Sequence, residues 1–339
     1  MQAIDFTASE NLGFNDAELT RAIQKFPNLY GRIGQLNLFP VHPVSTTTVV
    51  IEEREGVLNV LPTVPRGGPA TKGITDRRKA RPFVIPHIPH DDVVKPEDIQ
   101  NVRAFDSTDL ETVAAVLSRK LQTMRNKHSI TLEHLRAGAL KGKVMDGNGD
   151  LLVDLFKEFK IQEKSVDFKL GTGTTKVKNK INEVKRHIEV NLKGEIMNHV
   201  HALCGPTWFD EFTSHQEIEP AYARWNNGAA LRDDMRGQFQ MAGVIFEEYN
   251  ATVTLSDGQT TDRLIADNEC RFFPVGTQNS FDTFLAPADM IQWVNTLGQE
   301  LYVSQKDLDH GKGTELYSES NPLPLCKRPA LLVKGTTSN

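Results

Sequence analysis

Residues 41–142 narrow the options for this chain more than any other part of it: a long polar ribbon with no core of its own runs straight into an unusually long helix. Between Val44 and Pro89 three strand-like runs, VSTTTVVI, GVLNVL and RPFVIPHI, surround a Pro/Gly-rich basic loop, TVPRGGPATKGITDRRKAR. A lone hairpin is marginal in water, because it buries too little apolar surface to offset the entropy of ordering it. This ribbon must lie on something else, and a ribbon reaching outward beside a rigid helix suits a subunit that crosses to its neighbours. The first expectation is therefore architectural.

The 339 residues are 39% hydrophobic, enough for one large domain or two of ordinary size. No run of about 18 or more apolar residues occurs, and MQAIDFTASENLGFNDAEL lacks the charged, apolar and small-residue regions of a signal peptide. The expectation is a protein made and kept in a cytoplasm, with no membrane partner. Cys204, Cys270 and Cys326 are an odd set without CxxC spacing, so buried reduced thiols are expected rather than a disulfide framework or a zinc site. A net charge of −5 argues against a protein whose main task is gripping nucleic acid.

Along the chain, Phe14, Leu19, Ile23 and Phe26 suit a short amphipathic helix at 16–26, part of an arm that packs on other segments. After the ribbon, Pro96, Glu97 and Asp98 fit the first turn of a short helix. From Asp106 the period changes. Thr108 and Glu111 have capping-box spacing, and apolar residues recur at 110, 113, 114, 117, 121 and 124, then at 132, 135 and 139, until Gly142. One helix of about 35 residues would be roughly 50 Å long, a spine rather than a coiled coil, with a break or kink conceivable at Ser129–Thr131.

KGKVMDGNGDLLVDLF then predicts a hairpin around a Gly-rich turn. Val177, Ile181, Val184, Ile188, Leu192 and Ile196 predict an amphipathic helix over 176–198. HVHALCG followed by Pro206 predicts a buried strand and a helix start at TWFDEF. Residues 220–242 read as a surface loop, and GVIFEEYNATVTL and ECRFFPVG as strands. Residues 280–298 have short helical character, and TELYSES and PALLVKG are strand-like runs around NPLPL. Strands and helices alternate without a βαβ rhythm, so the fold class is α+β.

Candidate chemistry is sparse. DGNGD at 146–150 starts like a calcium loop but has Leu151 where Gly is needed and Lys157 where a bidentate Glu is needed, so it is a turn. His87, His90, Asp91 and Asp92 are metal-ligand types, but prolines and the lack of convergent spacing weaken a metal reading. His199 and His201 share one strand face and suit structural roles. GTGTT at 171–175 is a loop, and no nucleophile, phosphate-loop or zinc-protease motif occurs, so neither a catalytic residue nor a cofactor is assigned. The strongest local charge signal is Arg66, Lys72, Arg77, Arg78, Lys79 and Arg81. A solvated loop is the bland account; contact with an acidic patch on a neighbouring subunit is the functional one. Phosphate binding is third, since no aromatic lies between Arg66 and Arg81 for base stacking.

The order of parts resembles the Hong Kong 97-type capsid fold, and more specifically the lambda-like tailed-phage major capsid proteins, the phage E-type family. The resembling segments are VSTTTVVIEEREGVLNVLPTVPRGG with RPFVIPHIPHDD, the helix from Asp106 ending in ALKGKVMDGNGDLLVDLF, CGPTWFDEF, RFFPVGTQNSFDTFLAPAD and ESNPLPLCKRPALLVK. They cover nearly the whole chain, and their order carries more weight than any single motif. The resemblance implies an N-terminal arm (1–40), an extended loop (41–92), a peripheral domain with spine helix and hairpin (93–175), an axial domain (176–315) and C-terminal strands (316–339) returning to the peripheral domain or the axial edge. It implies self-assembly into hexamers and pentamers of an icosahedral shell, built in the host cytoplasm and enclosing double-stranded DNA without sequence-specific binding. Implied partners are a separate scaffolding protein, a portal protein and a decoration protein. Some relatives crosslink through a loop lysine and a distant asparagine; Lys72 and Lys79 lie in the loop, but the expectation is a shell without crosslinks. Two rivals are a metal-dependent hydrolase using His87, His90, Asp91 and Asp92, and a cellular nanocompartment shell that holds enzyme cargo.

Overall fold

The computed structural model of the chain describes residues 20, 23, 31–54, 78–100, 112–227 and 238–338. Gly31, in the left-handed region at φ 119°, turns the chain into a one-turn helix, Arg32–Gln35. Strand β1 (Val41–Pro43) follows, and then β2 (Thr48–Arg54) and β3 (Arg78–Val84) pair as an antiparallel ribbon. Strand β4 (Ile88–Val94) leads by a short 3-10 turn, Pro96–Asp98, toward the spine helix Val113–Lys141.

The spine spans 29 residues, about 43 Å. Its cap is Thr112, whose hydroxyl accepts from the Ala115 N–H at 3.2 Å. The expected Thr108–Glu111 cap lies outside the described residues. No break occurs at Ser129–Thr131; the Thr131 hydroxyl simply bonds back to the Lys127 carbonyl at 2.8 Å. Gly142 ends the helix at φ 76°, where a Cβ would also strike the Phe156 ring. Strands β5 (Lys143–Met145) and β6 (Leu151–Asp154) form the expected hairpin. In its turn Asp146 Oδ1 accepts from the N–H groups of Asn148 and Asp150, both at 2.8 Å, so this carboxylate is holding backbone.

Strand β7 (Lys164–Asp167) precedes the helix Val177–Leu192. This helix stops four residues short of Ile196, which lies beyond Lys193 and Gly194, both at positive φ, and is 79% exposed. Strand β8 (His199–Cys204) and the helix Pro206–Ser214 follow as the sequence predicts. The expected surface loop at 220–242 is instead a helix, Glu219–Asn227, and a strand, β9 (Gln238–Met241), with 228–237 outside the described residues. Aromatic packing overrides its polar composition: Tyr222 meets Phe209 and Phe239, and the Trp225 indole N–H donates to the Gln238 carbonyl at 2.8 Å.

The remaining strands are β10 (Val244–Glu248), β11 (Thr252–Thr254), β12 (Thr261–Arg263), β13 (Glu269–Val275), β14 (Phe281–Leu285), β15 (Tyr302–Asp307), β16 (Thr314–Ser320), β17 (Pro322–Cys326) and β18 (Val333–Thr336). Strand β14 occupies a stretch expected to be helical. Strand β17 is the NPLPL segment, and its two prolines are tolerated because it is an edge strand needing few N–H donors.

A mixed six-stranded sheet, β7-β18-β13-β8-β10-β9, carries the largest aromatic core. On one face it buries Val177, Ile181, Val184, Ile188 and Leu192 of the long amphipathic helix together with Trp208, Phe209 and Phe212. Alternation along the strands turns Leu203 and Phe273 to the opposite face, where they join the second half of the spine. The first half of the spine lies on a three-stranded sheet, β15-β16-β4, through Val116, Leu117, Leu121 and Met124, and Ile23 of the arm joins that core. A third sheet, β1-β14-β17, closes the centre. Strand pairing joins segments far apart in sequence: β4 pairs with β16, and β7 with β18, while β15 and β16 form a hairpin.

Ile181→Ala is expected to cost about 2–5 kcal/mol because it empties a fully buried site. Val190→Ala on the same helix, 76% exposed, should stay within about 0.5 kcal/mol. Denaturant unfolding of the two variants checks which face is buried.

Candidate functional site

The root of the ribbon is held by its own subunit. Ile51 on β2 and Phe83 on β3 are buried in the central core. Arg81 lies 4.4 Å over the Phe159 ring, and its Nε donates to the Glu158 carbonyl at 3.0 Å. On the opposite face Val50 and Val84 are 55% and 72% exposed. Of the six basic residues, Arg66, Lys72 and Arg77 lie outside the described residues. Arg78 and Lys79 stand on β3 opposite Arg54 and Glu53 of β2. Arg81 is engaged by its own subunit.

The four metal-ligand types are not brought together. His87 Nδ1 meets Glu319 Oε1 at 3.0 Å, His90 Nε2 accepts from Lys127 at 3.0 Å, and Asp92 accepts from Lys120 at 2.9 Å. Asp91 sits opposite Tyr317 in the β4–β16 register. Strand alternation sends His90 and Asp92 toward spine lysines and Asp91 to the other face, so the set cannot converge. Burial, and then the Lys127 charge, hold the His90 pKa below its ordinary value. Among the described residues no group of three or more His, Cys, Asp or Glu is arranged to hold a metal ion. The metal-dependent hydrolase thus loses its site.

What the fold does build is a set of buried carboxylates that clamp distant segments together. Glu133 on the spine accepts from the Ile33 N–H at 2.6 Å, the Gly34 N–H at 3.3 Å and the Tyr249 hydroxyl at 2.9 Å. Glu247 on β10 receives Arg32 through both Nε (2.6 Å) and Nη2 (2.9 Å), and also His201 Nε2 at 3.1 Å and Gln238 at 3.2 Å. Burial alone would raise the Glu247 pKa; the hydrogen bonds and charges of His201 and Arg32 outweigh it and bring it down to about 2. Burial and the neighbouring Glu133 push the Tyr249 phenol up, so it stays a donor.

A second clamp centres on Glu319, which is fully buried. It takes hydrogen bonds from the Asp289 N–H at 2.8 Å, Asn321 at 2.6 Å and Tyr317 at 3.1 Å, besides facing His87. Beside it, His128 of the spine binds the hydroxyls of Ser320 and Ser318 at 2.8 and 3.0 Å. Burial, followed by His90 and Lys127, brings its pKa down to about 3. An open groove of about 1000 Å³ runs alongside, lined in part by Ile88, His90, Lys127, His134, Leu152 and Val253. These groups act by holding the ribbon root, arm, spine and sheets in fixed relation.

The fold defines a class, the phage capsid proteins of the Hong Kong 97 type. The mature capsid of bacteriophage PhiM1 superposes with a TM-score of 0.52 at 13% identity, covering 100% of this chain and 93% of that one. The phage major capsid protein E family matches residues 16–337, and the chain belongs to that family. The major capsid protein of Salmonella phage Felix O1 is 30% identical, spanning 96% of this chain and 97% of its own length. That of Pseudomonas phage KPP10 is 31% identical, spanning 95% and 96%. The chain is accordingly a phage major capsid protein, a structural protein of the capsid.

Glu247→Gln should destabilise the subunit by about 3 kcal/mol, because it removes the buried carboxylate charge on which Arg32 and His201 converge. Its pH dependence should change as well. Folded Glu247 stays ionised down to about pH 2, whereas the unfolded chain takes up the proton near 4.5; the stabilisation is present above 4.5 and lost between those values as pH falls. Folded His128 stays neutral to about 3 while the unfolded side chain protonates near 6.5, so its stabilisation starts to fall at higher pH. Acid titration of stability should flatten below 4.5 in Glu247→Gln and between 6.5 and 4.5 in His128→Asn.

Proposed function

We propose that the chain builds an icosahedral shell of hexamers and pentamers in which the ribbon of each copy lies over the adjacent copy. The observation that carries this reading is the ribbon itself. Its root is buried and pinned by Arg81, while on the opposite face Val50 and Val84 are exposed. Further apolar side chains stand exposed at Ile291 (96%), Val294, Leu297, Val190 and Ile196. Apolar positions at several separate places suit a subunit with several neighbours.

In this reading the six-stranded sheet and its helices are the axial domain, meeting at the capsomer centre. The spine, the β5–β6 hairpin and the β15-β16-β4 sheet are the peripheral domain. The basic stretch from Arg66 to Lys79 contacts an acidic surface of the adjacent copy, while Arg81 holds the root. Individual contacts can be weak, since closed symmetry makes many of them act together. A net charge of −5 suits enclosing double-stranded DNA without gripping it. Assembly takes place in the host cytoplasm with a scaffolding protein and a portal protein, and a decoration protein binds the outer surface. Among the described residues no helix is long and apolar enough to cross a membrane.

Deletion of residues 66–79 is expected to leave a soluble, folded subunit that no longer forms stable shells. Electron microscopy of the full chain and the deletion variant, each produced with the scaffolding partner, tests this. Shells from the full chain alone support the reading, and normal shells from the deletion variant refute the ribbon's role.

A further inference from the structure

Cys204 on β8 and Cys270 on β13 stand directly opposite each other in an antiparallel pair. The Gly205 N–H donates to the Glu269 carbonyl at 2.8 Å, so 205 and 269 are a hydrogen-bonded pair and 204 and 270, one step along, are not. Consistent with this, the Cys204 carbonyl is turned to β10, where it accepts from the Tyr249 N–H at 2.8 Å. At such non-hydrogen-bonded positions the Cα atoms lie about 4.5 Å apart and the side chains are closest, within the range of about 4.4–6.8 Å that a disulfide bridges. The two Sγ atoms are 2.9 Å apart and both residues are fully buried. On the other side of Cys270 stands Gly335 of β18, where the absent side chain lets the Phe272 and Phe168 rings close in beside the pair. The third thiol, Cys326, belongs to a different core and lies on β17.

We propose that Cys204 and Cys270 are an oxidation site that closes to a cross-strand disulfide in the centre of the axial sheet once the particle leaves the reducing cell interior. The proposal rests on the shell reading for its setting, because a capsid passes from a reducing compartment to an oxidising one. The oxidant is a small peroxide able to reach a buried site. One thiolate attacks a peroxide oxygen, giving a sulfenic acid and releasing hydroxide, which takes up the proton the thiol gave. The second thiol then displaces the sulfenic hydroxyl as water. In sum, two thiols and hydrogen peroxide give one disulfide and two waters; the sulfurs lose two electrons and the peroxide gains them. Burial raises the Cys270 thiol pKa, which leaves less thiolate and slows the closure. The bond ties residues 66 apart in sequence, enclosing the helix Pro206–Ser214 and strands β9 to β12, so it limits the unfolding of that insertion.

The test uses assembled particles and the isolated subunit, each treated with hydrogen peroxide or with a reductant. Free thiols are alkylated in denaturant, and unreduced peptides are mapped by mass. The expected result is a Cys204 peptide joined to a Cys270 peptide, two hydrogens lighter than their sum, with Cys326 alkylated. The oxidised form should also melt several degrees above the reduced form, and this difference should vanish in Cys270→Ala. Three alkylated cysteines after peroxide, or a link running through Cys326, would overturn the proposal. The peptide map is made on the unaltered chain and needs no variant to fold. Electron microscopy of the same samples reads shell formation separately, so intact shells without the link count against the cysteine pair alone.

Discussion

Two buried carboxylates, Glu133 and Glu247, set the frame on which the rest of the subunit depends. A buried carboxylate is costly unless every oxygen finds a donor, so each dictates what must surround it. Glu133 draws in the backbone N–H groups of Ile33 and Gly34, and Glu247 draws in the guanidinium of Arg32. Three consecutive arm residues are thereby held by two elements far away in sequence, the spine helix and the six-stranded sheet. Strand alternation makes this possible: Glu247 and Tyr249 lie two residues apart and face the same way, so one satisfies Arg32 while the other donates to Glu133. Gly31 is needed just before, because its backbone takes a positive φ and a Cβ there would crowd the Glu133 carboxylate.

The Glu319 clamp works in the same way at the ribbon root. Its partners come from the ribbon exit (His87), the loop after β14 (Asp289) and its own strand region (Tyr317, Asn321). Lys120 adds a third tie, bonding Asp92 and the Val93 carbonyl and so holding β4 against the spine. The ribbon consequently leaves a rigid platform at a fixed angle. A subunit that meets copies of itself in a shell needs such a root held in place.

Local periodicity was legible wherever one chain segment sufficed to define the pattern. The spacing of Val177, Ile181, Val184, Ile188 and Leu192, the β5–β6 turn and the Gly205-Pro206 switch from strand to helix were all readable. The segment order carried the α+β fold class and the capsid resemblance, which the family match establishes. Non-local pairing was not readable. Nothing in NPLPL marks it as a partner for Phe281–Leu285, and the polar stretch 220–242 concealed Tyr222, Trp225 and Phe239, which are structured by contacts with one another and with Phe209. The clamps were missed for a related reason. Glu133 in a helix and Glu247 in FEEYN look like surface acids until Tyr249, Arg32 and His201 are seen to converge on them. The basic cluster shows the reverse: its charge density is plain in sequence, yet Arg81 turns out to stack on its own Phe159.

Amide hydrogen exchange at Ile33 and Gly34 measures the central clamp most directly, because both N–H groups donate to Glu133. Protection comparable to that of the β8–β13 amides, lost selectively in Glu133→Gln while the sheet stays protected, is the expected result. Exchange at surface-loop rates in the unaltered subunit would contradict the claim that these carboxylates hold arm, spine and sheet together.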